Sequence, residues 1–220
     1  MDPFIARLPA ERDGDLMLCR QHGIAYQADM QQGRVAYDDA YWDKVMAYEG
    51  SEIARAVIEG RVQMLRRHAS PGEDVFDIGA GTGAFVRAAL LAGFNARGSD
   101  VMPSAIERLR AEGIYGDMPS IADVVTMWDS VEHMERPDDQ LDEIARGTVL
   151  LASVPIFRDL DSIRASKHYR PGEHLLHFTT QGFIDWLGMH GFRFSEFSLH
   201  EIDAGREDIG AFAFIRERMP

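Results

Sequence analysis

Cysteine is nearly absent from this chain: Cys19 is the only one among 220 residues, which excludes an intrachain disulfide. A reducing compartment, the cytoplasm, is the expected location. Long apolar runs are missing as well. None approaches the roughly 20 residues that a bilayer-crossing helix needs, and the opening Met1-Asp-Pro-Phe-Ile-Ala-Arg7 lacks the basic-then-apolar order of a secretory signal. Positive charge is scarce, with 23 Lys and Arg against 36 Asp and Glu, a formal net charge of −13. That balance repels a phosphate backbone, so nucleic acid is a disfavoured partner. The one dense basic stretch, Arg61, Arg66 and Arg67, reads as the solvated face of a helix. Internal repeats and low-complexity tracts are also lacking, and the length suits one α/β core with an appendage.

Residues 1–70 show no strand-like alternation. Tyr37, Tyr41, Trp42, Met46 and Tyr48 recur at helical steps, and 51–67 continues with Ile53, Ala56, Val57, Val62 and Leu65 on one side. A helical N-terminal segment or lid over 1–70 is therefore expected, ahead of a main domain at 71–220 that opens after the Pro71-Gly72 turn. From Glu73 the pattern alternates strand and helix at the pace of parallel βαβ units. Strands are expected at 75–78, 95–99, 114–115, 124–128 and 148–153, with helices at 84–92, 103–111 and around 138–145. A polar irregular stretch, 155–178, leads to a helix capped by Thr179 and ended by Gly191, and then to an antiparallel hairpin of 192–199 with 211–216. The fold class is α/β, Rossmann-like and doubly wound: a mostly parallel seven-stranded sheet with an antiparallel C-terminal strand.

The first strand runs directly into Gly79-Ala80-Gly81-Thr82-Gly83 and a helix, so backbone amides are offered to a ligand above the strand ends. With Ala84 in the last place the run also satisfies the dinucleotide pattern, which keeps a nicotinamide-dependent oxidoreductase as an alternative. Asp77 separates the two readings. A pyrophosphate disfavours an acid beside the turn, whereas a ligand with an ammonium and a sulfonium suits one. Asp100 ends the second strand, where an acid can accept both ribose hydroxyls with either cofactor.

The segment Asp77-x-Gly79-x-Gly81-x-Gly83 closely resembles the class I S-adenosylmethionine-dependent methyltransferases. Gly116-Asp117-Met118 resembles the place where that family holds the adenine. The run Val124-Val-Thr-Met-Trp128-Asp129-Ser-Val-Glu132-His133-Met134 looks like the fourth-strand segment of the ubiquinone-biosynthesis-type branch, and 174–192 is similar to its late helix. The resemblance spans roughly 37–214. It implies S-adenosyl-L-methionine as methyl donor, S-adenosyl-L-homocysteine as product, and cofactor contacts at Asp77, Gly79, Ala80, Gly81, Gly83, Asp100, Val101, Asp117, Met118, Trp128 and Asp129. Asp129 has a competing role as a helix cap. The tyrosines Tyr37, Tyr41 and Tyr48 are similar to the family's aromatic helix over the active site.

Methyl transfer from a sulfonium needs positioning more than a nucleophilic side chain. Where the acceptor must lose a proton, His133 and His177 are the candidate bases. The acidity and the aromatic lid favour a small-molecule acceptor, and a homodimer is compatible with the chain. A non-catalytic cofactor-binding protein of the same fold is the other alternative. His174 and His177 with Glu173 make half a metal site, and no third ligand is identifiable, so no metal is expected. Cys19-Arg-Gln-His22-Gly23 resembles a zinc knuckle of some relatives but carries a histidine for the second cysteine and has no second pair. Tyr169 and Arg170 lie in the same substrate-side loop.

Overall fold

The structure is a computed structural model that describes residues 4–117 and 122–217; the adenine-side candidate Met118 lies outside the described residues. Three short strands, β1 (Glu11–Asp13), β2 (Leu16–Cys19) and β3 (Ile24–Gln27), form an antiparallel meander near the N-terminus. This corrects the expectation of a helical segment throughout 1–70. Every residue of β3 is buried and β2 is buried at all but Met17, so neither shows the alternation of a one-sided strand. The helical part is α1 (Asp39–Glu49) and α2 (Glu52–His68), started by Asp38 and Ser51, whose side chains accept from the Tyr41 and Ala54 amides.

The main sheet contains β4 (Asp74–Ile78), β5 (Asn95–Ser99), β6 (Val124–Trp128) and β7 (Val149–Phe157), all parallel. The expected strand at 114–115 is reduced to one parallel bridge, Tyr115 with Gly98. β8 (Leu176–Thr179) pairs with the last residues of β7, and β10 (Ile209–Arg216) lies antiparallel between β7 and β9 (Phe192–Ser198). The order Tyr115-β5-β4-β6-β7-β10-β9 gives the seven positions expected. β3 joins β8, which attaches the meander and makes ten connected strands. The stretch 155–178 is thus not irregular throughout: β7 runs four residues beyond Ser153, a 3-10 turn occupies Leu160–Ala165, and β8 follows.

Between the strands lie α3 (Ala84–Leu91), α4 (Pro103–Ala111), α5 (Pro137–Glu143), α6 (Thr180–Met189) and α7 (His200–Asp203). One side of the sheet buries Phe178, Phe183, Trp186, Phe212 and Phe214 together with Ile24 and Tyr26 of the meander. On the other, Val62, Met64 and Leu65 of α2 share a cluster with Phe85, Val86 and Ala89 of α3. Each valine, leucine, methionine or phenylalanine so buried contributes about 1.5–3 kcal/mol by leaving water, so α2 is part of the domain core. α1 is different: none of its residues is buried. Among the described residues no helix is long and apolar enough to cross a membrane.

Candidate active site

The loop from β4 to α3 is built on positive φ angles of 80°, 53° and 78° at Gly79, Gly81 and Gly83. A Cβ on Gly79 would lie 2.7 Å from Ser130 Cβ, and one on Gly83 would lie 2.8 Å from Leu109 Cδ2. Gly81 differs, since a Cβ there meets nothing within 4 Å. Two of the glycines therefore allow the loop to pack, and the third leaves its outer side open to a ligand. Gly83 starts α3 without a side-chain cap, which leaves the first helical N–H groups available. Asp100 braces this loop, accepting from the Gly81 amide at 2.8 Å through Oδ2 and from the Met102 amide at 2.8 Å through Oδ1.

Asp77 is buried beneath the loop, where Thr126 donates its hydroxyl to Oδ1 at 2.6 Å. Burial raises its carboxyl to about 7, against the lowering effects of Thr126 and Arg61. At the end of β6, Trp128 packs edge-on to Phe85 with centroids 5.3 Å apart, and its buried indole N–H has no partner. Asp129 follows with φ of 51° and does not cap a helix. Its Oδ2 accepts from Arg61 and from Arg206, each at 2.6 Å, and Ser153 donates to Oδ1 at 3.2 Å. Burial alone would raise the Asp129 carboxyl, but the Arg206 and Arg61 guanidiniums outweigh it and hold it well below the usual carboxylate range.

Arg61 corrects the reading of a solvated basic face. It is 8% exposed, lies 4.9 Å over the Trp128 ring, and donates to the fully buried Glu201 at 2.8 Å. Arg206 also donates to Glu201, so α2, β6 and α7 are tied together behind Asp129. Arg66 is exposed as expected, and Arg67 pairs with Glu196.

A cleft of about 710 Å³ opens between this loop and the two N-terminal helices. Of the residues singled out in the sequence, Asp77, Gly79, Ala80, Gly81, Trp128 and Asp129 line it, with Val45, Tyr48 and Glu49 of α1 on the opposite wall. Gly83, Asp100, Val101, Asp117, His133 and His177 do not, although Asp100 is hydrogen-bonded to the loop at Gly81. Val101 and Asp117 are exposed. The end of α1 is held by Glu49, which pairs with Arg87 and, at 3.3 Å, with Arg108. At its start Tyr37 meets Tyr41 edge-on, centroids 5.2 Å apart. The Tyr37 hydroxyl is raised by burial, and Asp100, Glu132 and Glu173 all lie near enough to act on it.

Beyond Asp129 the chain turns through Val131–His133. His133 is half-buried and lies edge-on to His174, centroids 4.7 Å apart; burial lowers its pKa. His177 stands apart from this pair, buried in β8 between Phe157 and Tyr169, with neither ring nitrogen hydrogen-bonded. Burial pushes it down to about 4. The half-site weighed from the sequence, His174 with His177 and Glu173, is not the group that converges among the described residues; His174 lies with His133 and Glu132 instead. Cys19 Sγ lies 3.1 Å from His22 Nδ1 at the β2–β3 turn.

With this geometry in place, comparison with known proteins identifies the chain. The model of the "Methyltransferase domain" family matches residues 49–196, well over half of the sequence, so the protein belongs to that family. It is an S-adenosylmethionine-dependent methyltransferase of the class I, Rossmann-like kind, and the oxidoreductase reading falls away. Its fold is shared by the magnesium protoporphyrin IX methyltransferase of Synechocystis, solved with S-adenosylhomocysteine bound (TM-score 0.62, 16% identity, 82% of this chain and 96% of that one covered). It is also similar to a Thermotoga maritima S-adenosylmethionine-dependent methyltransferase described as a possible histamine N-methyltransferase (0.57, 16%, 80% and 98%). A third similar structure is an S-adenosylmethionine-dependent methyltransferase of Mesorhizobium loti (0.55, 16%, 72% and 100%). No curated protein sequence matches the chain significantly.

Proposed function

We propose that the cleft between the glycine loop and α1 holds S-adenosylmethionine and that the methyl acceptor is a small molecule admitted beneath α1. The carrying observation is the cleft itself. Its volume of about 710 Å³ lies within the range of roughly 300–1,000 Å³ usual for small-ligand sites, and one wall is a helix with no buried residue. The donor fits the groups present: an open approach at Gly81, free amides at the start of α3, an unpartnered Trp128 N–H, and a buried Asp77 carboxyl that a nearby cation would hold ionised. Gly79, Ala80, Gly81 and Gly83 shape the cradle, Asp77 answers the positive charge, and Asp100 keeps the loop in place while its free lone pairs remain for a ribose. Val101 and Asp117 border the exposed adenine side. Asp129 stays ionised between two arginines and supplies fixed negative charge at the β6 exit.

When bound, the donor supplies an activated methyl group that leaves its sulfur by in-line displacement. The protein positions the acceptor and excludes water, with Tyr37 and Tyr41 covering the strand ends and His133 beside the acceptor. His177, enclosed by aromatic rings, is not given a part.

The acceptor class is tested by incubating the protein with methyl-labelled donor and a cell extract, then separating products by size. Label in the low-molecular-weight fraction is expected. Label confined to protein or nucleic acid would overturn the small-molecule reading.

A further inference from the structure

Among the described residues one group of metal-ligating side chains converges: Glu132, His133 and His174, each offering one donor atom, with these atoms all within 4.8 Å of one another. Glu132 and His174 are 2% and 5% exposed. Burying a carboxylate and two imidazoles is unfavourable unless their polar atoms are satisfied, yet Glu132 Oε2 and His133 Nδ1 are buried without a hydrogen-bond partner. His174 is oriented from behind. Its Nδ1 lies 2.8 Å from the His168 carbonyl oxygen, which can only accept, so that nitrogen carries the proton and Nε2 keeps its lone pair. A backbone carbonyl fixing the tautomer of a histidine in this way is the outer-shell arrangement of metal ligands.

We infer that Glu132, His133 and His174 form a binding site for a divalent transition-metal ion of the zinc type, leaving a coordination position open for an oxygen ligand. Two imidazoles and one carboxylate form a donor set suited to such ions, and a set of three protein ligands with a vacant fourth position is characteristic of catalytic zinc. Bonds of about 2.0–2.1 Å in a tetrahedron place ligand atoms roughly 3.3 Å apart. The side chains therefore close by an ångström or so on the ion, which rotation of His133, the least buried of the three, can supply. The placement gives the ion a use. The cluster begins three residues after Asp129, and Ser130, two residues before Glu132, packs against Gly79, so the site borders the space at the strand ends where the glycine loop lies. An ion there would polarise an acceptor oxygen and lower its pKa, which recasts His133 as a ligand in place of a base. That use rests on the methyl-transfer reading; the metal site does not.

The test is zinc binding by the full-length protein. After chelator treatment and dialysis, the protein is titrated with Zn²⁺ in competition with a chromophoric chelator. One ion per chain is expected, with affinity at least roughly tenfold weaker in His174→Ala and in Glu132→Gln, a loss usual even for the outer partners of a metal. Cys19→Ser should retain full affinity, and X-ray absorption should report nitrogen and oxygen neighbours only. If the buried Glu132→Gln variant fails to fold by circular dichroism, the less buried His133→Ala variant carries the same expectation. Absence of binding, unchanged affinity in the histidine variants, or a sulfur neighbour to zinc would each overturn the assignment.

Discussion

Asp77 occupies a position in a central parallel strand where an apolar residue would be expected, between Phe76 and Ile78, and its neighbourhood explains what the acid does there. Its folded-state pKa, about 7, lies above the ordinary value of 3.8 because burial disfavours the charge. The folded protein therefore binds more protons at this site than the unfolded chain between those values. Stability from this group is complete below the unfolded pKa and is lost as pH rises through about 7, by something on the order of a few kcal/mol. Without cofactor, Asp77→Asn should gain in melting temperature relative to wild type as pH goes from 5 to 8, as measured by thermal unfolding. Parallel curves across that interval would contradict it. Asp77 and the three glycines were legible because their chemistry is local: a strand, a turn and a helix start leave few ways to arrange five residues. Glu132 was not legible as a candidate ligand, since its partner His174 comes from a loop 42 positions away and no spacing rule links the two.

At the scale of elements, α2 shows how a sequence pattern can be read too simply. Charge groups Arg61 with Arg66 and Arg67, but Val57, Arg61, Met64 and Leu65 fall at helical steps on the buried face. The position was legible from periodicity; its partner Glu201, on a four-residue helix far along the chain, was not. Without Arg61 the carboxylates of Asp129 and Glu201 share the single charge of Arg206, and an uncompensated buried charge of this kind costs about 3–5 kcal/mol. Arg61→Ala should therefore lower the urea-derived unfolding free energy by about that amount. A loss below about 1 kcal/mol, the range of surface pairs, would show that the network contributes no more than an exposed one. The meander escaped recognition for a related reason. β2 and β3 are covered on both sides, and the period of two disappears when both faces are apolar. The βαβ elements from β4 to β6, with α3 and α4, were legible nearly to the residue because glycines and Pro103 punctuate them.

The whole molecule joins a core domain, in which α2 packs against α3, to a more exposed α1 that closes one side of the cleft. Fold and donor were legible because both depend on the glycine loop and the strand order that carries it. The acceptor was not, because the surroundings proposed for it, α1, the 3-10 turn after β6 and the loop before β8, are far apart in sequence and only the folded chain brings them together. Asp77 and the glycine loop are proposed to hold the methyl donor. Isothermal titration of S-adenosylhomocysteine into the wild-type protein and into Asp77→Ala tests this most directly. One site per chain in the wild type and no measurable binding in a folded Asp77→Ala are predicted; equal affinity in the two proteins would contradict the claim.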